Sequence, residues 1–189
     1  MMSGSSPVTT NLSEMTPRLS RLADCIDRLT GTIGRTVAWC TLIVVLTQFA
    51  VVLLRYLLGM GSIWLSESII YGHAAVFMLA ATWTLAENGH VRVDIFYADA
   101  PPRRKALVDL LGALLLLIPF ALALAWLSFP YVARSWAILE RSRETSGLPA
   151  VFLLKTLIPL FALSMALQGV SQAIRAIEVL RAAAGRPAI

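Results

Sequence analysis

Residues 36–54 read TVAWCTLIVVLTQFAVVLL, without a charged side chain among them. A helix rising 1.5 Å per residue crosses the hydrocarbon core of a bilayer in roughly 20 residues, so this stretch has the length and composition of a transmembrane span. Three more charge-free stretches follow, Ser68 to Ala86, Leu110 to Ala133 and Thr156 to Ile174. Lipid offers no partner for an unpaired N–H or C=O, so each must be helical, and no ten-residue alternation points to a barrel instead. The composition agrees: of 189 residues 58% are hydrophobic and 14% charged, with mean hydropathy +0.74, where soluble domains carry about a quarter charged residues. Pro119, Pro130 and Pro159 fall in or beside the last two spans and are expected to bend them.

Charge sets the orientation. Arg18, Arg21, Arg28 and Arg35 precede span one, Arg92, Arg103, Arg104 and Lys105 separate spans two and three, and Arg175, Arg181 and Arg186 follow span four. These eleven cations face five on the other side, Arg55, Arg134, Arg141, Arg143 and Lys155. Short loops rich in Lys and Arg stay in the cytoplasm, so both termini are expected there and the first and third loops in the periplasm. The same interspersed cations account for the formal charge of +5 without a nucleic-acid partner, since they form no long basic run.

The expected fold is an all-α integral membrane protein with four transmembrane helices and an N-terminal amphipathic interfacial helix. Residues 1–17 read as a disordered cytoplasmic tail, 18–35 as the interfacial helix, 36–181 as the four-helix domain and 182–189 as a second tail. Leu22, Ile26, Leu29 and Ile33 recur at helical spacing, with Arg21, Asp24, Asp27 and Arg28 on the other side, either as a helix on the inner membrane surface or as a solvated lead into span one. The Ser/Thr-rich start lacks the basic and apolar signature of a cleaved signal, so span one is expected to remain as an anchor.

Intramembrane chemistry has few candidates. Gln48, His73 and Gln168, with Gln172 near the end of span four, are the polar groups of the spans, and every Asp, Glu, Lys and Arg lies at a boundary or in a loop. A proton-coupled exporter needs a carboxylate inside the membrane, which these spans lack. The two histidines, His73 and His90, are 17 residues apart, about 25 Å along one helix, too far to ligate one haem. His73 is expected to be an interior hydrogen-bonded histidine, and Gln48 and Gln168 interhelical hydrogen-bonding residues. Cys25 and Cys40 are too few and too poorly placed for a disulfide framework or a zinc site. No nucleophile with a base and no phosphate loop appears, and Gly59 and Gly61 read as turn residues. The chain is therefore expected not to be an enzyme and to need no cofactor and no metal.

Three connecting segments carry more than topology demands. In Gly61-Ser62-Ile63-Trp64-Leu65-Ser66-Glu67 an interfacial aromatic precedes a carboxylate that can complement the N-terminus of span two. In Asn88-Gly89-His90-Val91-Arg92-Val93-Asp94-Ile95-Phe96-Tyr97, Gly89 can end a helix, the Val/Ile alternation fits an extended segment, and Asp99 can cap the helix opened by Pro101 and Pro102. Arg103, Arg104 and Lys105 are then placed to meet phospholipid headgroups. Ser135-Trp136 through Glu140 to Ser146-Gly147-Leu148-Pro149 ends in a turn that opens span four, and its charges are either solvated or partner contacts.

With these motifs in order, the chain from about Leu19 to Leu180 resembles the small membrane subunit of a tripartite ATP-independent periplasmic (TRAP) transporter, in the branch labelled for mannitol and chloroaromatic compounds. Ser66 stands where that family often has an acidic residue. The resemblance implies a small Q-type permease subunit in the bacterial inner membrane that braces a large sodium-coupled membrane subunit while a small organic anion, delivered by a periplasmic binding protein, is taken up. It also implies partner or lipid contacts at Trp64, Glu67, His90, Arg92, Asp94, Tyr97, Arg103, Arg104, Trp136 and Glu140. Ala74, Ala75, Ala80, Ala81 and Gly112 are candidate points of close helix approach. The rival readings are a self-sufficient homo-oligomeric carrier or channel and an assembly protein unrelated to transport.

Overall fold

A computed structural model describes residues 7–90, 97 and 99–184, with side chains from Pro17 onward. Its helices are α1 (Pro7–Leu58), α2 (Ile63–Ala86), α3 (Pro102–Gly112), α4 (Ile118–Ala137) and α5 (Val151–Ala184), with a π-helical segment, Ala113–Leu117, joining α3 to α4. Four helical stretches are long and apolar enough to cross a membrane: Pro17–Leu58, Ile63–Ala86, Pro102–Ala137 and Val151–Ala184. All are longer than the charge-free runs, because helical backbone continues past charged residues at one end of α2 and at both ends of the other three.

The helix starts and stops follow local chemistry. Gly59 at φ 62° takes the left-handed conformation that ends α1. The Ser62 hydroxyl caps α2 by accepting from Leu65 N at 3.4 Å. At the other end of α2 the left-handed residue is Asn88, φ 54°, rather than the expected Gly89. The Asn88 and Gly89 N–H groups close on the carbonyls of Leu85 and Thr84 at 3.1 and 2.8 Å. Gly89 is there for close approach, since a Cβ would sit 3.0 Å from Thr84 Cγ2. Asp99 does not cap α3: the N-cap is Pro101, without a side-chain bond.

Pro119 explains the π-helical segment. It has no N–H to offer the Leu115 carbonyl, and its ring would collide with that carbonyl in an α-helix. One extra residue in the turn relieves both problems, and Ile118 N bonds the Ala113 carbonyl instead. Pro130 and Pro159 are carried inside continuous helices.

Helix α5 lies at the centre, against α1, α2, α3 and α4. The buried residues are mostly small, among them Ala23, Ala106, Ala121, Ala162, Ala166 and Ala173, whereas Trp39, Phe49, Phe120 and Trp126 point outward. In lipid, burying a large apolar side chain gains little, so helices associate through close backbone approach and hydrogen bonds. Gly34 receives Trp83, Gly72 receives Val44, and Gly169 receives Ile118 and Leu117. Gly112 is not such a point within the chain, because a Cβ there would meet nothing within 4 Å.

The expected interfacial segment is not a separate element. Residues 18–35 belong to the unbroken α1, and their buried side is Ala23, Ile26, Thr30, Gly31 and Gly34 rather than the leucine stripe. Leu22, Leu29 and Ile33 are exposed. Helix α1 also begins at Pro7, inside the stretch read as a tail, and α5 runs to Ala184, inside the second one.

Candidate functional site

Two polar clusters fasten the bundle, one at each end. At the end where α1 starts and α5 finishes, Asp27 of α1 faces Gln168, Ser171 and Arg175 of α5, which at i, i+3 and i+7 share one helix face. Its Oδ1 accepts from Gln168 Nε2 at 2.9 Å and Ser171 Oγ at 2.6 Å. Its Oδ2 accepts from Arg175 Nη2 at 2.6 Å and Nε at 3.1 Å, and Nη2 also reaches Asp24 at 2.8 Å. Gln168, 2% exposed, accepts from Thr30 Oγ1 at 3.0 Å. Gln172 donates to the Leu85 carbonyl at 3.3 Å, tying in α2. Gln168 therefore does the interhelical bonding expected of it, while the Asp27 partnership was not foreseen. Its signal was available in two carboxylates three residues apart on α1 and a matching donor row on α5.

A cavity of about 400 Å³ opens beside this cluster, lined in part by Asp27, Lys105, Asp109, Gln168 and Arg175. Tyr97 donates its hydroxyl to Asp109 at 2.7 Å, and the Lys105 ammonium stands 5.4 Å from the Tyr97 ring centre. Arg103, Arg104 and His90 are exposed. Arg92 and Asp94, with Val91, Val93 and Ile95, lie outside the described residues.

At the loop end, Glu67 is the organiser. Its Oε1 accepts from the Ser142 hydroxyl and its Oε2 from Leu148 N at 2.6 Å. The loop is closed on itself by Ser142 N to the Leu148 carbonyl at 3.1 Å. Gly147 packs so closely that a Cβ would lie 2.7 Å from Glu67 Oε1. Glu67 thus follows the first turn of α2 and holds the long α4–α5 loop, while Ser62 serves the helix N-terminus. Trp64, one turn earlier, is exposed.

Trp136 and Glu140 hold α4 and its following loop to α5. Trp136 Nε1 donates to Thr156 Oγ1 at 2.8 Å, and its ring meets Phe152 edge-on at 4.7 Å between centroids. Lys155 Nζ contacts Glu140 Oε2 at 2.5 Å and lies 4.0 Å from the Tyr131 ring centre. Trp64 and His90 stay on the surface, so the expected site residues do not converge on one place.

The Lys155 hydrogen bond holds the Glu140 carboxyl below its ordinary value of 4.5. A depressed folded pKa gives stability that is complete above the unfolded value and disappears as pH falls through the folded one. The thermal midpoint should therefore decline on acidification below 4.5, and Glu140→Gln should make that decline shallower. Superimposable pH profiles of the two proteins would contradict this account of the pair.

His73 does not occupy the interior position expected of it. It is exposed on α2, and Gln48 is exposed on α1. No cluster of His, Cys, Asp or Glu suited to a metal ion occurs among the described residues.

In comparison with known families, residues 36–179 are similar to the family described as "Tripartite ATP-independent periplasmic transporters, DctQ component". No curated protein and no solved structure matches the chain.

Proposed function

The chain belongs to the DctQ component family of the tripartite ATP-independent periplasmic transporters, and from that membership we propose that it is the small permease subunit that braces a large, sodium-coupled membrane subunit. The cargo in this reading is a small organic anion handed over by a periplasmic binding protein, in keeping with the resemblance to the mannitol and chloroaromatic branch. The observation that carries it is the use to which the polar groups are put. Asp27, Glu67, Trp136, Lys155 and Gln168 bond one helix or loop to another, as a rigid support requires.

We place the protein in the bacterial inner membrane with both termini cytoplasmic, because the eleven cations of the N-terminal, second-loop and C-terminal segments outnumber the five on the opposite side. Arg21, Arg28 and Arg35 recur at seven-residue intervals on the exposed side of α1 beside Leu22 and Leu29. That pattern supports contact with anionic phospholipid headgroups where α1 leaves the bilayer.

The test is sodium-dependent uptake into proteoliposomes containing anionic lipid, with this chain alone, the large subunit alone, and both together, each supplied with the binding protein. Uptake is expected only with both subunits and to weaken in vesicles lacking anionic lipid. Uptake by this chain alone would overturn the bracing role and favour the self-sufficient carrier.

A further inference from the structure

Two polar side chains at hydrocarbon depth have no use within the chain. Gln48 on α1 and His73 on α2 are exposed, and neither hydrogen-bonds to another described residue. Their position departs from the pattern of the other span polar groups. Gln168 pairs with Thr30 and Asp27, Thr82 with Ser164, and Gln172 with the Leu85 carbonyl.

The two lie on one face. Helices α1 and α2 run antiparallel, in a register fixed by Val44 against Gly72 and Gly34 against Trp83. In that register His73 is level with residue 43, so Gln48 and His73 differ in depth by about 8 Å at 1.5 Å per residue. At about 100° per residue, Gln48 is turned some 40° from Val44 and His73 some 100° from Gly72. Because the chains are antiparallel, both rotations fall on the same side of the helix pair. Thr82 gives an independent check. It is nine residues beyond His73, about 180° around α2, and it is buried against Ser164 of α5. His73 therefore points directly away from the bundle's own centre. The face around the two polar groups is apolar, with Val45, Val52, Ile70 and Phe77 exposed.

Lipid cannot satisfy a carboxamide, with two donors and an acceptor oxygen, or an imidazole, with one of each. A facing helix can, and such cross-helix bonds commonly fix which membrane helices meet. We propose that this α1/α2 face, centred on Gln48 and His73, is where the large membrane subunit docks, through a helix that presents hydroxyl, amide or carbonyl groups at mid-membrane depth. The inference rests on the reading of the chain as a bracing subunit and adds which of its surfaces is covered.

The experiment measures association of the labelled full chain with the large subunit in lipid nanodiscs, for wild type, Gln48→Leu, His73→Leu and the double variant. Each leucine has similar bulk and no hydrogen-bonding group. Each single change is expected to weaken association about threefold and the pair about tenfold. The thermal midpoint of the isolated chain should hold or rise, because a group unsatisfied in lipid has been removed, and this separates lost docking from misfolding. Wild-type affinity in the double variant overturns the inference while leaving the bracing role intact. Loss of self-association by the chain alone, with large-subunit binding unchanged, also overturns it and assigns the face to a second copy. Failure of the wild-type chain to bind the large subunit at all removes the bracing role and this inference together.

Discussion

Gly34→Ala should destabilise the bundle by about 2 kcal/mol, whereas Gly31→Ala, one turn away on the same helix, should be neutral or stabilising by up to about 1 kcal/mol. A Cβ on Gly34 would fall within 3.0 Å of Trp83 Cβ, Cγ and Cδ2. The nearest of these is joined directly to the α2 backbone, so a rotamer change cannot clear it and the two helices must move apart. At Gly31 the nearest foreign atom would be Trp83 Cδ1 at 3.8 Å, an ordinary contact. There the lower backbone entropy of alanine in the unfolded chain decides the sign. Thermal or denaturant unfolding in detergent, followed by circular dichroism, compares the two directly. The double variant Gly34→Ala with Trp83→Gly, which removes the Cβ as well as the ring, should be more stable than the sum of its single changes by about 1–2 kcal/mol. Equal effects at Gly31 and Gly34 would show that the α1–α2 contact is looser than the geometry implies.

Asp27→Ala should have the largest effect of any polar substitution, about 3 kcal/mol. It removes the acceptor for three α5 side chains at once and leaves the donors of Gln168 and Ser171, 2% and 1% exposed, without it. A buried donor without its acceptor costs about 1–3 kcal/mol, more than the net worth of the bond. The Arg175 pair contributes less, because its side chains are partly solvated and screened. Asp27→Asn keeps one acceptor oxygen, so it should cost only about 1 kcal/mol. Faster proteolysis of the residues before Arg35 in Asp27→Ala, with the rest of the bundle protected, would locate the loss at the α1–α5 contact. Equal stability of the Asn and Ala variants would mean that Gln168 and Ser171 find other partners.

Much of this was already legible in the chain. Membrane residence and the four spans follow from 36–54 and three similar runs, because hydrocarbon thickness and backbone satisfaction leave few alternatives. The family motifs could likewise be quoted from the loops. Their roles could not. Trp64 and Glu67 lie one turn apart on α2, yet one is exposed and the other clasps Ser142 and Leu148 across the loop end. The sequence could not bring 67 to 142, since that contact depends on how α4 and α5 lie against α2.

The same holds for direction. A 3.6-residue period shows that a helix has faces. Which side is buried is another matter. In water the apolar stripe would turn inward, but in this bundle Leu22, Leu29 and Ile33 are exposed while Ala23, Thr30 and Gly34 are covered. Lipid removes the penalty for exposing leucine, and close packing rewards small residues and shared hydrogen bonds. Gln168 and His73 illustrate the consequence, as two polar residues of the spans that the tertiary structure alone sends to opposite surroundings. The sequence by itself determined the membrane as the solvent and helices as the only way through it. The tertiary structure decided which groups meet inside and which remain for a partner, because in lipid that choice depends on geometry between helices and not on hydrophobicity along them.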